Sequence, residues 1–248
     1  ISFVFSAAFS FGVSLLQAAL APKEKPVGVN FELQVGDDHP VAFPAGTYAT
    51  SGTRKYSGTW GNVGKTPNAY FVDVIQFSDL PCAGVTGMWM NGEKVTFGDT
   101  PHETFGYPIL EYRKNGVDFM WALTADGSQT TTNAYLLDKF GTHPERPWQE
   151  DMIGRGCAYM VITARWNKDL HKSYPTALIE PAETTWYDLR KDTTAGGDGA
   201  HRWNDRSTYE GSSNPVVIIY NIIRGIYLGS EWIYGGQNIA AHRLPASN

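Results

Sequence analysis

Three short runs place imidazoles beside acidic or turn residues: His39-Pro40, His102-Glu103 and His143-Pro144-Glu145. Imidazole next to carboxylate is the pairing of metal ligation and general acid–base chemistry. None has a second ligand at zinc spacing, and HExxH and CxxC are absent. The three therefore read as loop histidines that cap backbone groups. No GxSxG elbow or Walker-type loop occurs, and Gly196-Gly197-Asp198-Gly199 lacks the Lys and Ser/Thr that phosphate binding needs. Asp188, Asp192, Asp198 and Asp205 sit among glycines and offer oxygen ligands to calcium. Their spacing lacks the alternate acidic positions and closing Glu of a calcium loop. Arg190, Lys191, His201, Arg202 and Arg206 share the stretch, so internal ion pairing is the simpler expectation. Glycoside hydrolysis needs two selected carboxylates, and nothing selects a pair among 25 acidic residues. Eight Trp and 13 Tyr suit either a sugar-stacking face or a protein interface. This reading assigns no catalytic, cofactor-binding or metal-binding residue.

The elements that must hold these groups follow from composition and periodicity. A 42% hydrophobic content in 248 residues supports a sizeable buried core. A charged fraction of 18% is low for a soluble surface, so neutral polar groups or other subunits are expected to cover much of it. Net charge −5 leaves no basic footprint for sequence-specific nucleic-acid binding. Cys82 and Cys157 match no metal spacing and are expected as two reduced thiols.

Most of the chain after Val27 reads as short strands. VNFELQV and AYFVDVIQF alternate with period two, while CAYMVITARW and TALIE read as buried strands. Asn91-Gly92 and Asn115-Gly116 are hairpin turns between apolar runs. From Asn214, NPVVIIYNIIRGIYLG predicts a helix, with Asn as cap, Pro215 in the first turn and a stop at Gly225 or Gly229. Val217, Ile218, Tyr220 and Ile222 are its expected buried residues. The expected class is mainly β with minor α, in barrel-like domains. The expected division is a hydrophobic segment and joint at 1–26 and a first β-domain from 27–98 plus 148–187. An inserted subdomain follows at 99–147, and 188–248 holds a loop, the helix and the start of a second domain.

Residues 1–21 carry no charge. Their length suits a membrane span or a signal peptide. Ser2, Ser6, Ser10 and Ser14, recurring every fourth residue, instead outline a helix-packing interface of small side chains. Pro22 and Pro26 end the segment. The opening at Ile1 and the close at Asn248 after a glycine-rich run are expected of a piece of a longer chain.

Longer phrases carry a resemblance. GTYATSGTRKYSGTWG, NAYFVDVIQFSDLPCAGVTGMWMNGEKV, RPWQEDMIGRGCAYMVITARWNKDLHKSYP and YDLRKDTTAGGDGAHRWNDRSTYEGSSNPVVIIYNIIRGI resemble the hub proteins of siphophage tail tips. In the wider J-like tail-tip family a Trp-containing loop and an Asn-Pro pair lead into a helix before a glycine-rich turn. Trp203, Asn214-Pro215, Tyr220 and Gly235-Gly236 fill those places. The likeness spans residues 27–248. It implies a virion structural protein at the distal end of a bacteriophage tail, assembled in the host cytoplasm as a homotrimer of small β-barrel hub domains. Such a ring closes the tail tube and supports host attachment and genome delivery, without catalytic residues. The implied partners are the distal tail ring, the tape measure and further tip proteins, with membrane contact only through residues 1–21. The competing class is a tail-associated carbohydrate-binding or peptidoglycan-degrading module.

Overall fold

In a computed structural model, residues 34–35, 42–43, 45–171 and 174–244 are described. The serine stripe at Ser2, Ser6, Ser10 and Ser14, and His39, lie outside the described residues.

The central element is β10 (Ala158–Arg165), which is buried along nearly its whole length. A strand this apolar must be covered on both faces. Its flanks are β3 (Thr66–Ser78) and β9 (Met120–Ala125), both antiparallel to it, with Val161 opposite Val74 on one side and Leu123 on the other. β2 (Thr53–Val63) and β6 (Tyr107–Pro108) extend the sheet, and β1 (Gln34–Val35) joins β2 in parallel. The strand order is β1-β2-β3-β10-β9-β6.

Alternation along the strands sends two residue sets to two cores. Ile75, Phe77, Met120, Ala122, Met160 and Ile162 face a smaller sheet. That sheet has β4 (Val85–Met90) between β11 (Ala177–Pro181) and β5 (Glu93–Lys94). Met88, Met90 and Ile179 close this core. Val72, Val74, Trp121, Tyr159 and Val161 face the other way, where α1 (Ala134–Phe140) covers them with Tyr135, Leu136 and Phe140. Each such side chain contributes roughly 1.5–3 kcal/mol on full burial. Gly58 in β2 makes the helix fit, because a Cβ there would meet Phe140 Cε1 at 2.6 Å.

The hairpin turns form as expected. Asn91-Gly92 joins β4 to β5, and Asn115-Gly116 joins β7 (Arg113–Lys114) to β8 (Val117–Asp118). All four turn residues have positive φ, the requirement of a type I′ turn. One expectation differs from the structure. No sheet among the described residues closes into a barrel: the main sheet ends at β6 and at β1. Segment 99–147, read as an insertion, supplies β6 and β9 to the same sheet as β3 and β10, and α1 to its cover. Hydrogen-bond continuity across β10 therefore runs through that segment.

A third cluster gathers Leu80, Trp186, Val217, Ile218 and Ile226, with Phe43, Ile222, Ile233 and Tyr234 packed against it. It joins the end of β3 to the C-terminal elements. These are β12 (Thr185–Trp186) paired with β13 (Glu210–Gly211), α2 (Pro215–Arg224), and the hairpin of β14 (Ile226–Leu228) and β15 (Glu231–Tyr234). Cys82 and Cys157 are free thiols, and burial pushes both up from the usual thiol range. No helix among the described residues is long and apolar enough to cross a membrane.

Candidate functional site

The histidines at 102 and 143 hold turns. His102 Nδ1 accepts from the backbone N–H of Thr104 (3.1 Å) and Phe105 (3.3 Å). His143 Nδ1 accepts from Glu145 (3.3 Å) and Arg146 (3.1 Å). Such bonds satisfy backbone donors.

The acidic stretch after Tyr187 is ordered by capping. Asp188, Asp192 and Asp205 each precede a short 3-10 turn and accept from the N–H two residues on: Arg190 at 3.0 Å, Thr194 at 2.8 Å and Ser207 at 3.0 Å. Their spacing is therefore that of three consecutive caps. Ion pairs add to this. Arg190 binds Asp188 at 2.7 Å and Arg202 binds Asp192 at 3.1 Å, while Lys191 binds Glu210. Hydrogen bonds from Arg190 hold the Asp188 carboxyl below its usual range. Tyr187 donates to Asp192 at 2.7 Å; burial, with that carboxylate, pushes its phenol up. His201 Nδ1 accepts from Asp188 N–H at 2.9 Å, which leaves the ring proton on Nε2, 3.8 Å from Glu210. Among the described residues no group of three or more His, Cys, Asp or Glu could hold a metal ion. Gly197 and Gly199 lie against the Arg190 and Lys191 carbonyls, where a Cβ would overlap.

This loop packs on α2, which begins as the sequence predicts. Asn214 Oδ1 accepts from Val216 N–H at 2.9 Å, Pro215 occupies the first turn, and the helix stops at Gly225 with φ 105°. Its inward face corrects the expected list. Val217 and Ile218 are buried, but Tyr220 and Ile222 are only half-buried, and Asn221 and Arg224 complete the face. Asn221 Oδ1 accepts from Tyr187 N–H at 3.1 Å, and its Nδ2 donates to the Tyr187 and Val217 carbonyls, both at 2.8 Å. Arg224 lays its guanidinium 3.6 Å over the Trp203 ring and donates to Ile239 O at 3.1 Å. A desolvated cation–ring contact of this kind contributes about 2 kcal/mol. The signal for both residues was two polar side chains recurring at helical spacing on the Val217–Ile218 face.

The far end of α2 is closed by the glycine-rich run. Gly236 N–H donates to Ile222 O at 2.8 Å, satisfying a carbonyl the helix leaves free. A Cβ at Gly235 would overlap Ile222 O, and one at Gly236 would overlap Ile223 O. Only glycine permits that approach.

Two surfaces result. The outward face of α2 exposes Val216 (70%), Ile219 (53%) and Ile223 (40%), at i, i+3 and i+7. These share one stripe, so the helix is apolar on two sides. The second surface is a cleft of about 680 Å³ between Leu80–Pro81, β12, the 203–209 turn and the β14–β15 hairpin. Trp186, Trp203, Tyr209 and Tyr227 line it together with Asn204, Asp205, Ser230 and Asn238. Set against known proteins, the chain matches no family model and no curated protein.

Proposed function

We propose that the chain is a structural component of a bacteriophage tail tip, a non-catalytic hub subunit that assembles as a homotrimer closing the tail tube. The observation that carries this reading is the second apolar stripe of α2. A helix whose inner face is already packed has no use for Val216, Ile219 and Ile223 in water. Hiding each against a neighbouring subunit stabilises by up to roughly 1.5–3 kcal/mol in proportion to the area covered. The tail-tip phrases named above supply the partner: Asn214-Pro215 opens this helix and Gly235-Gly236 seals it. The low charged fraction fits a surface shared with other subunits. In this reading closure belongs to the ring of three rather than to a barrel within one chain. The distal tail ring, tape measure and further tip proteins are its neighbours.

Light scattering coupled to size exclusion tests the assembly. The chain is expected at the mass of three copies, and Ile219→Asp at the mass of one with an unchanged circular dichroism spectrum. A wild-type chain that stays at one copy across micromolar concentrations overturns the reading.

A further inference from the structure

The cleft beside α2 is lined by none of Val216, Ile219 and Ile223, the residues assigned above to assembly. Its volume of about 680 Å³ falls within the roughly 300–1,000 Å³ of small-molecule sites. Its walls are held in place. Trp203 is fixed by the Arg224 guanidinium over one ring face, by the Tyr187 ring edge-on at 5.3 Å, and by Tyr209 donating to its carbonyl at 2.7 Å. Trp186, 2% exposed, backs this wall from the core it shares with Leu80, Val217 and Ile226. A ring held in place beforehand lowers the ordering cost of binding a ligand.

The chemistry of the lining selects the ligand class. An anion is disfavoured, because Arg206 is tied to the Tyr227 carbonyl, Arg224 lies on Trp203, and Asp205 adds negative charge. A wholly apolar ligand would strand Asn204, Asp205, Ser230 and Asn238, which keep side chains at the rim. A neutral sugar meets both demands. Its C–H faces pack on indole and phenol rings, and its hydroxyls serve as donor and acceptor to amide, carboxylate and hydroxyl groups. Cleavage is not supported there, since Asp205 is the single carboxylate among the lining residues and glycoside hydrolysis uses two.

We propose that this cleft binds a short neutral saccharide, with the Trp203 and Tyr227 rings as its apolar wall and Asn204, Asp205 and Asn238 as its polar rim. The proposal stands apart from the trimer reading, because Ile219→Asp leaves the cleft untouched. The test is titration calorimetry with maltotriose, laminaritriose and chitotriose to about 10 mM, which saturates a site with a Kd of roughly 1 mM. At least one is expected to bind saturably, and inorganic phosphate is not. Trp203→Ala is expected to weaken binding at least tenfold. Because Trp203 also packs on Arg224, the surface pair Asn204→Ala and Asn238→Ala, with native circular dichroism, is expected to weaken it at least threefold. No saturable response to any of the three sugars overturns the proposal. So does saturable phosphate binding, or sugar binding that both sets of substitutions leave unchanged.

Discussion

Replacing Asn221 by Ala is expected to be among the most damaging single changes in the C-terminal part of the chain. Asn221 is 3% exposed and acts as a piece of backbone, exchanging two hydrogen bonds with the N–H and C=O of Tyr187, itself 2% exposed. Truncation strands that N–H and that carbonyl away from water. Each buried unsatisfied group costs about 1–3 kcal/mol, so the two together give roughly 2–6 kcal/mol. The third bond, to Val217 O, adds little, because that carbonyl also belongs to the helix ladder. Asn221→Asp is the sharper test. It keeps the acceptor for Tyr187 N–H but turns a carboxylate toward two carbonyl oxygens, so it is expected to destabilise at least as much as Ala despite its near-identical shape. Urea unfolding followed by tyrosine and tryptophan fluorescence gives the difference, and amide exchange at Tyr187 gives the local effect. An Asn221→Ala protein within about 0.5 kcal/mol of wild type, with Tyr187 still protected, would show that water or a rearranged loop satisfies these groups and that the staple is dispensable.

Three further outcomes are expected. Asn214→Ala removes the cap bond to Val216 N–H and is expected to cost about 1 kcal/mol in urea unfolding, with Asn214→Asp close to wild type. Asp73 is 2% exposed and bonded by Arg54 at 2.6 and 2.8 Å, so Asp73→Ala is expected to lose about 3–5 kcal/mol by leaving a largely buried guanidinium unpaired; a loss under 1 kcal/mol refutes it. Burial pushes His171 below its ordinary 6.5, so between its folded value and 6.5 the unfolded chain holds the extra proton. Its contribution is therefore full above pH 6.5 and declines as pH falls below it, and His171→Gln is expected to flatten that slope in thermal melts taken from pH 7 to 5.

What the sequence determined by itself are features whose energy lies within a few neighbouring residues. The helix at Asn214 was legible because cap, Pro215 and Gly225 sit within one stretch and outweigh its β-branched content. The turns at Asn91-Gly92 and Asn115-Gly116 were legible because positive φ at two adjacent positions demands those residue types. The capping roles of His102 and His143 are local in the same way. Tertiary structure decided the rest. β2 escapes a sequence reading because TRKYSGTWGNV is polar and glycine-containing, and it becomes a strand only beside β3. α1 is seven residues long, too short to stand without the sheet beneath it, and Gly58 is meaningful only once Phe140 lies over it. The place of β10 between β3 and β9 is a choice among pairings of similar local merit, settled by the sum of two buried faces. The Asn221 staple and the Trp203–Arg224 stack each join groups well separated in the chain. No window of sequence contains both halves of such a contact, so only the folded core, which brings them together and excludes water, gives those side chains their roles.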